Sequence, residues 1–316
     1  MQGSTYRSVS IVIPAHNAER SVRRAIESAV TQTMKPAEVI VIDDHSTDAT
    51  APIAASFPAP IRLISASARG SNPARNLGLE LATSDWVQFL DADDFLLPNK
   101  LERQLSAISA DAAGVDLVYS PSLILPAPDL ASAANSARAD DDPIESFLSN
   151  RGFQTGAVLW RRTALLAIGG WKADVPRCQD YEVVFRAFRA GLRMRWCPYA
   201  GAAYCVADQR SLSRSQPLAT LQCNLQLVRD FCGWLEARNL FRGHYATLGQ
   251  IRLLDLLWSA ALLDADWAQE HYAKLISAGY IQPRWNGSRV EKSLRLLGWK
   301  TSVRLRRAFG RKPTPS

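Results

Sequence analysis

Short apolar runs alternate with segments of helical periodicity through the first ninety positions, and that alternation restricts the fold more than any other feature of the chain. VSIVI at 9–13, VIVI at 39–42, residues 61–65 and WVQFL at 86–90 read as strands, with VIVI and WVQFL apolar enough to be buried on both faces. Between them, residues 19–30, 47–57 and 73–82 carry the spacing of helices, the second with an N-terminal cap near Asp48. Strands joined by helices of this length imply right-handed crossovers and a mainly parallel sheet, with ligands bound beyond the carboxyl ends of the strands. Those ends carry polar clusters: Pro14-Ala15-His16-Asn17, then Asp43-Asp44-His45-Ser46-Thr47-Asp48, then Asp91-Ala92-Asp93-Asp94. Three polar loops on one rim predict one site.

The acidic cluster is the sharpest of the three. Asp91, Asp93 and Asp94 fall where a buried strand leaves the sheet, and three carboxylates there repel one another unless a positive partner arrives. A hard cation, Mg²⁺ or Mn²⁺, held by one or two carboxylates and completed by substrate phosphate oxygens and water, would relieve that repulsion. The plainer alternative is an acidic turn, since Asp is favoured in turns for its local hydrogen bonding. Other nucleotide folds fit poorly. The loop after the first strand is Pro-Ala-His-Asn and not GxGxxG, and the chain has no GxxxxGK[ST] loop, which argues against ordinary dehydrogenases and P-loop enzymes.

At 316 residues and 47% hydrophobic content the chain can bury a substantial core, as one large domain with an appendage or as two domains. Beyond residue 217 the pattern is purely helical, with Leu221, Leu225, Val228, Phe231, Trp234 and Leu235 in a stripe that reads as core, so a boundary is expected near residue 215. Residues 127–142, rich in Ala, Ser, Pro and Asp, read as a surface loop. Five cysteines with no CxxC pair favour free thiols and a reducing compartment. The N-terminal apolar run is too short for a signal peptide and no stretch reaches the ~18 apolar residues of a membrane span, so the chain reads as cytoplasmic. The formal charge of +7 is unevenly placed: residues 284–316 hold ten Lys or Arg against the single acid Glu291, leaving the remainder near −2. Leu294, Leu297, Trp299, Val303, Leu305 and Phe309 interleave with those cations, as in a basic amphipathic helix on the inner face of an anionic membrane. A helix packed on the body and a nucleic-acid patch are the alternatives, the last without any supporting motif.

VSIVIPAHNAE, DDHSTD, NPARNLG, FLDADD and GGW with QDYEVVFRAFRAG, in that order over residues 8–215, together resemble the family 2 glycosyltransferases of the GT-A fold. The resemblance implies an α/β GT-A domain over residues 1–215, with a mainly parallel central sheet flanked by helices, and a helical region over 216–316 ending in the basic tail 284–316. It implies transfer of a sugar, with inversion, from a nucleoside diphosphate donor, UDP the expected one, to a hydroxyl of a saccharide or lipid-linked saccharide in cell-surface polysaccharide synthesis. Asp91 and Asp93 correspond to the DxD pair, Asp93 as direct metal ligand and Asp91 nearer the ribose or sugar, with Ala92 between them and Asp94 in support. Asp44 corresponds to the acid that contacts the base. Pro14, Ala15, His16, Asn17 and Glu19 shape the base pocket, His16 standing where relatives often have Tyr. Arg75 is placed to neutralise donor phosphate or to orient the acidic loop. Asp180 corresponds to the Asp of a Glu-Asp pair and so to the catalytic base, while Gly170 and Trp171 lie on the acceptor side, Trp171 stacking on a sugar ring.

Two departures stand out. The Glu of that pair is Gln179, and a His that relatives often carry in the segment 204–213 is replaced near Ala207, with Asp208, Gln209 or Arg210 as substitutes. They keep a second expectation open, a non-catalytic sugar-nucleotide-binding or scaffold protein on the same fold.

Overall fold

The computed structural model describes residues 8–108, 114–125, 134–135, 142–205 and 216–282. The chain divides into two compact units, residues 1–209 and 210–316. In the first unit β1 (Val9–Ala15), α1 (Val22–Val30), β2 (Glu38–Asp43), α2 (Thr50–Ala55), β3 (Ile61–Ser65), α3 (Ser71–Leu81) and β4 (Trp86–Phe89) follow the expected alternation. β5 (Phe95–Leu96), α4 (Lys100–Ser106), β6 (Leu117–Tyr119), β7 (Ser122–Leu125), β8 (Ala134–Asn135) and α5 (Pro143–Leu148) come next. The unit is completed by β9 (Leu159–Arg161), α6 (Arg162–Ala167), α7 (Gln179–Arg189), β10 (Met194–Trp196) and β11 (Ala202–Cys205).

Seven strands form one sheet in the order β10-β6-β9-β4-β1-β2-β3. β1 is parallel to both β2 and β4, with Val12 opposite Ile40 on one side and Phe89 on the other, while β9 runs antiparallel between β4 and β6. The chain winds outward from β1 through β2 to β3 and then returns to place β4 on β1's other side. Strand order therefore reverses around β1, where crevices open in sheets of this kind. Four further strands form a second sheet in the order β5-β11-β7-β8.

Burial explains why these segments form these elements. Every residue of β1 and of β2 is buried, so neither strand shows the alternation of a half-exposed one. The apolar positions Val22, Ala25, Ile26 and Ala29 of α1 fall one helical turn apart and are fully buried against the sheet. Gly78 lets α3 approach β1 closely, since a Cβ there would lie 2.2 Å from Val12 Cγ1. Gln88 is the polar exception within β4: it is fully buried, and its amide donates to the Gly156 carbonyl at 3.0 Å. The helix expected from residue 47 starts at Thr50 with Ala49 at its N-cap, and Asp48, two positions before the helix, accepts from Thr50 N at 2.9 Å. Of the surface loop expected over 127–142, the described part contains β8 and Asp142, whose carboxylate caps α5 at Ile144 N (2.9 Å) and Glu145 N (3.2 Å).

The second unit is helical: α8 (Pro217–Glu236), α9 (Gly243–Ala261) and α10 (Ala265–Ser277). Leu225, Val228, Phe231 and Leu235 of the aromatic stripe are buried, with Leu253, Leu257, Ala268 and Leu275 from the other two helices. The stripe is core. None of the five cysteines is in a disulfide, and no helix among the described residues is long and apolar enough to cross a membrane. The basic tail 284–316 and the substitutes considered near Ala207 lie outside the described residues.

Lys100 is an anomaly in this core. It is 1% exposed, its Nζ has no hydrogen-bond partner among the described residues, and its stem packs under Gly201, where a Cβ would sit 2.2 Å from Lys100 Cγ. Burial pushes its pKa well below the ordinary 10.5, against the smaller opposing pull of Cys197. The unfolded chain then binds a proton that the fold does not, so stability rises with pH from the folded value up to about 10.5. Lys100→Met should stabilise the protein at pH 7 by about 1–3 kcal/mol, with the gain narrowing toward the alkaline end. Thermal unfolding across that range checks this; an unchanged midpoint at pH 7 would show that the ammonium is solvated in the fold.

Candidate active site

The loops after β1 and β2 are knitted together by the polar residues that made them conspicuous. Asn17 takes a left-handed conformation (φ 48°), which its short amide tolerates, and its Oδ1 accepts from Thr47 N at 2.9 Å while its own N–H donates to Ser46 Oγ at 3.0 Å. His16 Nδ1 lies 2.6 Å from the Asp44 carbonyl. A carbonyl only accepts, so Nδ1 carries the proton, which leaves Nε2 to accept from Asn17 Nδ2 at 3.1 Å. The ring is thus held from both ends while remaining exposed. Asp44 N donates to the Ala15 carbonyl at 2.8 Å, joining the two strand ends directly. Its carboxylate is already engaged, Oδ2 accepting from Gly70 N at 2.8 Å and Oδ1 lying 3.2 Å from His45 Nδ1. Pro14 stays within buried β1, opposite Ile42. Glu19 was expected to shape a base pocket. In the fold Glu19 is exposed, and its carboxylate accepts from Ala49 N at 3.2 Å at the entrance to α2.

The acids after β4 have three separate fates. Asp91, its side chain 28% exposed, pairs with Arg75 Nη2 at 2.7 Å. Asp93 is partly exposed, and Arg24 from α1 donates to its backbone carbonyl. Asp94 turns inward: it is 4% exposed, its N–H donates to the Asp91 carbonyl at 3.0 Å, and its Oδ1 accepts from Cys205 N at 2.8 Å. Burial first, and then the charges of Asp93 and Asp91, push its pKa well above the ordinary carboxylate value. Ala92 was assigned to the donor pocket. Its side chain is buried in the apolar core beside Leu90 and Leu96, which leaves only its backbone for any ligand.

Arg75 joins this loop to the far side of the crevice. The side chain is 4% exposed, and beside Asp91 its guanidinium donates to Asn72 Oδ1 (2.9 Å) and Gln179 Oε1 (2.8 Å). The Trp171 ring lies 4.6 Å from Arg75 Cζ. Two expectations change here. Arg75 was given a choice between donor phosphate and the acidic loop; the geometry shows the loop contact. Trp171 was expected to offer a face to a sugar. It is 2% exposed, between the Arg75 guanidinium and the edge of Phe89 at 5.3 Å, so it is an internal platform for the arginine.

The turn that carries Trp171 is built by residues the sequence reading passed over. Asn76 accepts from Trp171 N at 2.8 Å and donates to its carbonyl at 2.6 Å, closing a two-point clamp. Gly170 (φ 60°) is required there, since a Cβ would lie 2.6 Å from Asn76 Oδ1. Asn72 Nδ2 donates to the carbonyls of Lys172 (2.7 Å) and Val175 (3.0 Å). Arg186, paired with Glu182 at 2.9 Å, donates to the Gly170 carbonyl at 2.6 Å. Only the NPARN spelling hinted at these asparagines, because an Asn inside a helix needs a reason.

Asp180 stands in the first turn of α7, partly exposed, with Oδ1 accepting from Tyr181 N at 3.0 Å. Burial raises its pKa to about 6; the Tyr181 hydrogen bond opposes the rise, the Asp91 charge adds to it and the Arg75 charge opposes it. Arg75, which pairs with Asp91 and donates to Gln179 next to Asp180, links the acidic loop to the start of α7. A carboxylate of this kind is mostly ionised at neutral pH yet basic enough to take a proton from a hydroxyl. Among the described residues no cluster of three or more metal-binding side chains exists. Asp91 and Asp93 nonetheless suit a hard cation that takes one or two carboxylates and draws its other ligands from phosphate and water.

Residues 10–122 match the family model described as glycosyl transferase family 2. An uncharacterized glycosyltransferase of Haemophilus influenzae is 31% identical over 234 residues, covering 70% of this chain and 76% of the relative. The succinoglycan biosynthesis protein ExoO of Rhizobium meliloti is 41% identical over 111 residues, 34% of this chain and 31% of the relative. The Escherichia coli UDP-Glc:alpha-D-GlcNAc-diphosphoundecaprenol beta-1,3-glucosyltransferase WfgD is 39% identical over 100 residues, 31% of this chain and 40% of the relative. The matched stretch thus spans about a third of the length of relatives such as ExoO. Among solved structures, Staphylococcus aureus TarS 1–349 in complex with UDP-GlcNAc superposes with a TM-score of 0.61 at 13% identity, covering 96% of this chain and 91% of that one. The mannosyltransferase PcManGT of Pyrobaculum calidifontis, in complex with GDP-Man and Mn²⁺, gives 0.56 at 16% identity, covering 98% and 89%. At these identities the structural likeness speaks for the fold.

The raised pKa of Asp180 has a consequence for stability that needs no substrate. The folded value of about 6 exceeds the ordinary 3.8, so the fold retains its proton to higher pH than the unfolded chain does, and the ionised carboxylate costs stability above about 6. Asp180→Asn should therefore unfold at a higher temperature than the wild type at pH 8, with the difference closing near pH 4. Equal midpoints at both pH values would show that Asp180 is well solvated.

Proposed function

The chain belongs to glycosyl transferase family 2, and from that premise we propose that it is an inverting transferase moving a sugar from a nucleoside diphosphate donor, UDP-sugar foremost, to an acceptor hydroxyl. The observation that carries this reading is that Arg75, paired with Asp91 after β4, also donates to Gln179, the residue next to Asp180, at the rim where β1, β2 and β4 end. We assign the chemistry to residues 1–215 and read 216–316 as the helical appendage.

Asp180 is the base. As the acceptor oxygen attacks the anomeric carbon from the side opposite the diphosphate, Asp180 takes the hydroxyl proton, and the bond from that carbon to the phosphate oxygen breaks with its electron pair leaving on the nucleoside diphosphate. His16 presents the exposed flat ring against which a base can lie, with Pro14, Ala15 and Asn17 setting its height and Asp44 beneath. Asp93 and Asp91 are the residues that would hold Mg²⁺ or Mn²⁺, whose role is to neutralise charge developing on the leaving diphosphate. The Mn²⁺ in the PcManGT complex and the UDP-GlcNAc in the TarS complex support that choice of ion and of donor class. Arg75 keeps Asp91 in place from behind. Gly170 shapes the acceptor side through its backbone. A saccharide or lipid-linked saccharide of cell-surface polysaccharide synthesis is the proposed acceptor, in line with the names of ExoO and WfgD, with the basic tail 284–316 supplying contact to the cytoplasmic membrane surface.

Screening sugar nucleotides by thermal shift with and without Mn²⁺ should find a UDP-sugar that raises the unfolding midpoint only when the ion is present. With that donor, turnover should fall as pH drops through about 6, the value at which Asp180 takes up its proton. Asp180→Asn should lose turnover by at least about a hundredfold while still showing the donor-induced shift. Binding without transfer or donor hydrolysis across many acceptors would favour a sugar-nucleotide-binding scaffold, and full turnover in the variant would remove Asp180 from the mechanism.

A further inference from the structure

Gln179 uses both ends of its amide. Oε1 accepts from Arg75 Nη1 at 2.8 Å and from Ser71 Oγ at 3.2 Å, and Nε2 donates to the Pro176 carbonyl at 3.2 Å. A carboxylate of the same length could accept from Arg75 and Ser71 but could not donate to a carbonyl, and it would bring a second negative charge to a guanidinium already paired with Asp91. The backbone entering α7 gives little guidance of its own: Cys178 precedes the helix in a left-handed conformation (φ 54°) and makes no side-chain cap. Asp180 is the next residue, so whatever holds Gln179 limits where Asp180 can stand. We propose that Gln179 is a positioning residue whose amide oxygen locks the Arg75 guanidinium to the start of α7 and so holds Asp180 at a set place relative to the acidic loop. The proposal rests on the reading of Asp180 as base.

Gln179→Leu keeps the volume and removes every hydrogen bond, whereas Gln179→Glu keeps the acceptor facing Arg75 and Ser71. With the donor found by screening, Gln179→Leu should lower kcat by about ten- to a hundredfold with donor KM within about twofold, the mark of lost alignment rather than lost binding. Gln179→Glu should recover kcat to within about threefold of the wild type. Full kcat in Gln179→Leu, or Gln179→Glu as slow as Gln179→Leu, would overturn the proposal. A second readout needs no turnover. The Arg75 side-chain N–H groups, observed by ¹⁵N NMR, should exchange slowly with water in the wild type and in Gln179→Glu but rapidly in Gln179→Leu; unchanged exchange in Gln179→Leu would overturn the clamp. Should the wild type transfer no sugar at all, the transferase reading falls, and the exchange rates still decide whether the clamp exists.

Discussion

A guanidinium out of water is the constraint on which the rest of this site depends. Arginine cannot shed its proton at any accessible pH, so burying Arg75 commits the fold to surrounding it with acceptors. Those acceptors come from different parts of the chain: Asn72 from its own helix, Asp91 from the loop after β4, Gln179 from the start of α7, with Trp171 beneath the plane. Moving Asp91 away would leave the buried guanidinium without its counter-charge, and moving Asn72 or Gln179 would leave a buried N–H without its acceptor, at about 1–3 kcal/mol for each such group. Arg75 thereby converts a requirement for solvation into a requirement for geometry.

The first turns of α3 act as the strut that distributes this geometry. Gly70 donates to Asp44 at the end of β2, Ser71 to Gln179 at the start of α7, Asn72 to the carbonyls of Lys172 and Val175, Arg75 to Asp91, and Asn76 clamps Trp171. Five of the seven positions from Gly70 to Asn76 tie the loop after β2, the acidic loop and the start of α7 to one helix. Gly78 extends the logic to the sheet, because the same helix can carry these groups to the rim only by lying against Val12 without a side chain between them.

The acidic loop shows how environment divides like residues into unlike roles. Asp94 is drawn inside and held by Cys205 N, where burial favours its protonated form, while Asp91 pairs with Arg75 at the edge of the loop. Asp180 is intermediate, lifted by burial but restrained by the Tyr181 N–H and by Arg75. Four carboxylates near one crevice would repel any anionic diphosphate if all were ionised and exposed. Withdrawing one and pairing another lowers the negative charge left exposed at the rim.

The strands, the helices between them and the rim where the polar clusters gather were legible in the sequence, because period-2 and period-3.6 burial are local properties of a chain and polar clusters at strand ends can be seen without knowing what faces them. β3 was placed to the residue, and the polar clusters did lie at one rim, because β1, β2 and β4 are parallel. What each side chain touches was not legible. Whether Trp171 meets a sugar or an arginine, whether Glu19 faces a ligand or Ala49 N, and whether Ala92 lines a pocket or the core depend on residues tens to a hundred positions away. Asn72 and Asn76 escaped notice for the same reason, since their partners are carbonyls and amides that every residue possesses. The sequence by itself determined the order of elements and the inventory of charges; only the tertiary structure decided which of those charges would be solvated by protein and which by water, because desolvation is a property of place and not of spelling.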